Sequence, residues 1–219
     1  MMDRKSFLFD LNGTMINDME FHIDVWHDVL NTDLQAKLSR AEVRSHMYGR
    51  NQELLIRVFG DKRFTTEEAD AISYQKEVKY QALYKPHLDL LPGLFTFLER
   101  AQRNKIKMAI GSAASLFNID FALDNLNIRH YFEYIVSGDN VKNSKPHPET
   151  YLKGADLLQV EPTSCIVFED APKGVEAALN AGMKCVVITS MHQKNEFSEY
   201  NNILMFVEDY TDPRLTELF

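Results

Sequence analysis

Five short apolar runs, at 6–9, 106–110, 134–136, 165–168 and 185–188, constrain this chain more than any other feature. None shows the strict polar alternation of a strand with one wet face; they read as strands covered on both sides of a parallel sheet. Helical patterns separate most of them. Residues 93–103 place Leu94, Phe97, Leu98 and Ala101 at helical spacing, and further helical stretches cover 117–126, 149–158 and 173–180. Strands alternating with helices predict a doubly wound, Rossmann-like α/β fold built on a parallel sheet.

The interval after the first run breaks that alternation. From 16 to 88 no strand is evident, only amphipathic helical stretches near 21–30, 39–46, 52–59 and 66–84. Thr66, followed by Glu67 and Glu68, predicts the start of the longest, because acidic side chains are favoured in a first helical turn. Leu90-Leu91-Pro92-Gly93 marks the return. The expected organisation is therefore an α/β core of 1–15 and 88–219, with a small all-α segment of 16–87 inserted after the first strand.

Composition narrows the class of partner. The chain has 219 residues, 45% of them hydrophobic, enough for a sizeable core. A formal net charge of −8 and a pI near 5.4 disfavour nucleic acid and anionic membrane, which need a positive field. Residues 1–5 lead into too short an apolar run for a signal peptide, and no run approaches a membrane span. Cys165 and Cys185 sit inside apolar runs without zinc spacing, so both read as buried thiols of a cytoplasmic protein. A monomer would suffice, although oligomeric state is not written in the sequence.

Open parallel sheets bind ligands beyond the carboxyl ends of their strands. Here those positions hold Asp10, Gly111-Ser112, Lys145-Pro146 and Glu169-Asp170. Each alone reads as an ordinary turn, loop or surface residue. Together they suit phosphoryl transfer: converging carboxylates repel one another unless a cation such as Mg²⁺ neutralises them. Lys145 would add a fixed positive charge, the following proline biasing its backbone to an extended form. Ser112, with the backbone N–H groups at the start of the next helix, could hold phosphoryl oxygens.

The segments FDLNGT, IGS, SKP and FED resemble the four motifs of the haloacid dehalogenase superfamily, in its order, along 7–189. Stretches such as SKPHPETYLKGADLL and FEDAPKGVEAALNAGM are most similar to its β-phosphoglucomutase and small-molecule phosphatase branch. The resemblance implies an α/β core with a helical cap, and Asp10 as a nucleophile that becomes an aspartyl-phosphate. It further implies Mg²⁺ held by Asp10, the backbone carbonyl of Asn12 and Asp170, with Glu169 helping directly or through water. Ser112, Ala113 and Lys145 would hold the phosphoryl group of a small phosphorylated metabolite. In the cap it implies substrate contacts from His22, Arg50 and Lys76, although helical Arg and Lys are mostly solvated and a lone His is more often structural.

Asn12 departs from the pattern. Most phosphatases and mutases of this superfamily carry there an Asp that protonates the leaving oxygen, which an amide does not do. The loss of such help is worth roughly 10²- to 10⁴-fold in rate. Deamidation of the Asn12-Gly13 pair would restore the acid. Ser115 stands where the mutase branch has a lysine, which weighs against a phosphohexomutase. Three readings stay open: a phosphatase acting on sugar phosphates or pyrophosphate, a phosphohexomutase, and a catalytically silent phosphate-binding protein.

Overall fold

The computed structural model describes residues 5–219. It divides into two compact units, one formed by 5–17 with 89–219 and the other by 18–88. The division differs slightly from the boundaries read from the sequence. Ile16 stays with the first unit because it bridges to both Asn12 and Leu90.

In chain order, strand β1 (Ser6–Phe9) is followed by helices α1 (Met19–Asp28), α2 (Arg40–Ser45), α3 (Asn51–Phe59) and α4 (Thr66–Tyr84). Then come α5 (Leu94–Arg103), β2 (Lys107–Gly111), α6 (Leu116–Asn125), β3 (Tyr134–Val136), α7 (Glu149–Leu158), β4 (Cys165–Glu169), α8 (Pro172–Asn180), β5 (Lys184–Ile188) and β6 (Ile203–Val207). β6 stands outside the five strands expected. Its ILMFV run carries the apolar signal, but as an edge strand with Leu204 exposed it pairs only with β5.

The sheet is parallel throughout, in the order β3-β2-β1-β4-β5-β6, which is the doubly wound arrangement. β1 sits between β2 and β4, so Phe9 lies opposite both Ile110 and Phe168. Side chains along β1 alternate between two cores. Leu8 joins Val167, Val175, Ala178 and Cys185 in one. Phe7 and Phe9 enter an aromatic layer with Phe97, Phe168, Tyr210 and Phe219 in the other, where Phe9 stacks on Phe168 at 4.6 Å. Such ring pairs add about 0.5–1.5 kcal/mol each beyond area burial and fix the register that aligns the strand ends. Gly93 starts α5 at φ +80°, and a Cβ there would lie 2.6 Å from the Tyr210 backbone, so only glycine allows this approach.

Within the helical unit, α1 contributes Ile23 and Trp26, and α4 contributes Tyr80 and Tyr84, to a buried centre. α4 starts at Thr66 as expected and is capped by Thr65, whose hydroxyl accepts from the Glu68 N–H, while the Glu68 carboxylate accepts from the Thr65 N–H. Both cysteines are buried, and burial pushes the Cys165 thiol up to about 11 and Cys185 well above its ordinary value. Among the described residues, no helix is long and apolar enough to cross a membrane.

Candidate active site

At the carboxyl ends of β1 and β4 the chain brings three buried carboxylates together. Asp10, Glu169 and Asp170 each offer an oxygen within 4.8 Å of the others. The register explains the meeting: with Phe9 level with Phe168, the next residues of both strands emerge side by side, and the Asp10 N–H donates to Phe168 O at 3.0 Å. Buried Lys145 joins them, its ammonium donating to Asp10 Oδ1 at 2.7 Å and to Glu169 Oε1 at 2.6 Å. Burial alone would lower the lysine pKa, but the Asp10 and Glu169 carboxylates outweigh it and raise the pKa above its ordinary value. The Lys145-Pro146 peptide is cis.

Ionised together, three carboxylates against one ammonium would leave two negative charges in a buried site. A divalent cation would cancel them, and clustered carboxylate oxygens are the hard donors that Mg²⁺ prefers. The residues present fit such an ion.

The turn after β1 is built to bring its backbone against Asp170. Gly13 has φ +74°, and a Cβ there would fall 2.1 Å from Asp170 Oδ2. Its N–H donates to Ile16 O at 2.8 Å, and its carbonyl accepts from the Ser190 hydroxyl at 2.6 Å. That first bond also opposes deamidation of Asn12, which needs the Gly13 nitrogen to lose its proton and attack the side-chain amide. Thr14 supports the carboxylate from the other side, Oγ1 donating to Asp170 Oδ1 at 3.4 Å. Gly13→Ala should therefore displace Asp170 and strain the turn, lowering stability by about 1–3 kcal/mol. Calorimetric titration should show Mg²⁺ affinity falling with it.

Glu169 is held from every direction. Oε2 accepts from the N–H groups of Asp170 (3.0 Å) and Ala171 (3.1 Å), and Oε1 accepts from Lys145 and from the Tyr151 hydroxyl (2.7 Å). Gly174 of α8 lies against the same carboxylate, since a Cβ there would sit 1.8 Å from Oε1. Tyr151, Gly174, Thr14 and Ser190 are absent from the residues singled out in the sequence. Tyr151 occupies a core position of α7, and nothing in its spacing separates it from an ordinary packed aromatic.

Ser112 is buried at the end of β2. Its N–H donates to Val136 O at 2.9 Å. Its hydroxyl oxygen accepts from the Ala114 N–H at 3.1 Å, a bond that leaves the hydroxyl proton available for donation.

The remaining candidates, His22, Arg50 and Lys76, belong to the helical unit. Lys76, expected to be solvated if structural, is instead buried, its ammonium 2.5 Å from His22 Nδ1 and 3.0 Å from Glu77 Oε2. Burial lowers its pKa, and Glu77 opposes the shift. On its other side the His22 ring places Nε2 3.3 Å from Asp18 Oδ2. Asp18 also accepts from Tyr80 OH at 2.5 Å. Arg50 is half-buried and pairs with Glu53 Oε1 at 2.9 Å.

Comparison with known proteins adds a family signature to this geometry. Residues 7–188 match the family described as haloacid dehalogenase-like hydrolase. The chain is 32% identical to the β-phosphoglucomutase of Bacillus subtilis, over 83% of this chain and 82% of that protein. It is 28% identical to the fructose-1-phosphate phosphatase YqaB of Escherichia coli, over 82% and 93% respectively. Among solved structures, a β-phosphoglucomutase from Clostridium difficile superposes with a TM-score of 0.84 at 28% identity, covering 98% of this chain and 96% of that one.

Proposed function

The chain belongs to the haloacid dehalogenase-like hydrolases, and from that premise we propose that it is a Mg²⁺-dependent phosphatase of small phosphate esters such as sugar phosphates, acting through an aspartyl-phosphate on Asp10. Its relatives support phosphoryl transfer on sugar phosphates. The observation that carries the finer reading is the meeting of Asp10, Glu169 and Asp170 around Lys145.

Asp10 and Asp170, with the backbone carbonyl of Asn12, would hold Mg²⁺, and Glu169 adds its charge. When bound, the ion supplies charge neutralisation that lets a carboxylate approach an anionic phosphoryl group. Asp10 attacks phosphorus, forming a carboxylate-phosphorus bond as the ester oxygen leaves with the electron pair of the broken bond. Lys145 and the Ser112 hydroxyl, with the Ala113 backbone, stabilise the equatorial oxygens as charge spreads over them. Water then attacks phosphorus, breaking the Asp10 oxygen–phosphorus bond to free the carboxylate and inorganic phosphate, while the proton that water gives up balances the one the departed alkoxide takes from solvent. Asn12 leaves the departing oxygen without a side-chain acid, so sugar phosphates turn over slowly and esters with good leaving groups faster. By the same resemblance the helical unit acts as a substrate-selecting cap, with Arg50, His22 and Lys76 as substrate contacts. The serine at position 115 disfavours the mutase reading.

Beryllium fluoride trapping tests the reading. In Mg²⁺ the protein should give a ¹⁹F spectrum of a bound aspartyl-fluoroberyllate, lost when the ion is chelated. An activated aryl phosphate should turn over under the same conditions. Trapping without turnover would favour a silent phosphate-binding protein; neither would overturn the proposal.

A further inference from the structure

We infer that Tyr151 is a positioning residue for Lys145, fixing the ammonium that would meet the phosphoryl group; its bearing on turnover rests on the function proposed above. Glu169 is the link. Its Oε2 is anchored by two backbone N–H groups at 3.0 and 3.1 Å, so the carboxylate plane is set by the chain itself. Its Oε1 takes two further donors, the Tyr151 hydroxyl at 2.7 Å and Lys145 Nζ at 2.6 Å.

Tyr151 also touches the lysine directly, for Nζ lies 4.7 Å from the ring centroid. The ring thus offers its negative face to the cation while its hydroxyl holds the carboxylate that shares it. Gly174 also lies against this carboxylate, since a Cβ there would overlap Oε1.

The position of the ammonium follows from this competition. Lys145 divides its donors between Asp10 and Glu169 at nearly equal distances. Without the phenol, Oε1 loses one of the donors that fix it, and the ammonium it shares is held less firmly beside Asp10, where phosphorus must arrive. Tyr151 touches no reacting atom in this scheme.

Tyr151→Phe keeps the ring and removes only the hydroxyl. In ligand-free protein, proton exchange at the Lys145 ammonium can be followed by ¹⁵N NMR, with its resonance assigned by loss in Lys145→Met. Exchange should quicken in Tyr151→Phe by about tenfold, the scale of one hydrogen bond to a charged group. Tyr151→Leu, lacking ring and hydroxyl, should quicken it further. In Mg²⁺, the affinity for inorganic phosphate should fall several-fold in Tyr151→Phe while Mg²⁺ affinity and the melting temperature hold, a split that a merely structural role would not give. Exchange unchanged from wild type in Tyr151→Phe overturns the assignment. Faster exchange in a protein whose wild type binds no phosphate would uphold the positioning of Lys145 and remove the proposed function instead.

Discussion

Asp10→Asn is expected to reduce turnover of every phosphate ester by at least about four orders of magnitude, because an amide cannot serve as the attacking carboxylate. Binding should respond in the opposite sense. The substitution removes one of three buried negative charges while leaving an oxygen to accept from Lys145, so inorganic phosphate in Mg²⁺ should bind at least as tightly as to wild type. Beryllium fluoride capture should vanish, since it needs the Asp10 carboxylate oxygen as a ligand. Rapid-quench turnover, phosphate calorimetry and ¹⁹F spectra measure the three effects. A variant that retains turnover within tenfold of wild type would remove Asp10 from the role of nucleophile.

Asn12→Asp should act in the reverse direction and selectively. A restored acid helps where the leaving oxygen needs a proton, so hydrolysis of sugar phosphates should rise by roughly 10²- to 10⁴-fold. An activated aryl phosphate, whose leaving group departs unprotonated, should gain less than about tenfold. Gly13 is locked to Ile16 O, so the turn that presents position 12 is already formed and the new carboxylate needs no refolding of the loop. Parallel kinetics on both substrate types is the measurement. Equal gains on the two would sink the proton-transfer account, and no gain on either would point to a proton source elsewhere or to a binding protein.

Much of the candidate site was legible because strand ends are local features. Asp10, Ser112 and the Glu169-Asp170 pair each follow an apolar run that ends abruptly, Lys145 lies in the loop after another, and a parallel sheet sends all such ends one way. Tyr151 and Gly174 were not legible, because their importance comes from what they touch. A tyrosine at a helical core position and a glycine in a short helix look the same in sequence whether or not a carboxylate lies against them. Lys76 misled in the other direction: charge predicts exposure, but His22 and Glu77 provide partners that offset its burial.

The sequence by itself determined the alternation of strands and helices, the long helical interruption after β1, and the residue types available at each strand end. These follow from hydrophobic period and turn chemistry over a few neighbouring residues. Tertiary structure alone decided that β1 lies between β2 and β4, that an edge strand β6 completes the sheet, and that Lys145 reaches Asp10 across 135 residues of chain. Strand pairing and ion pairing of this kind are non-local, settled by the register of packed faces and by charges seeking partners away from water.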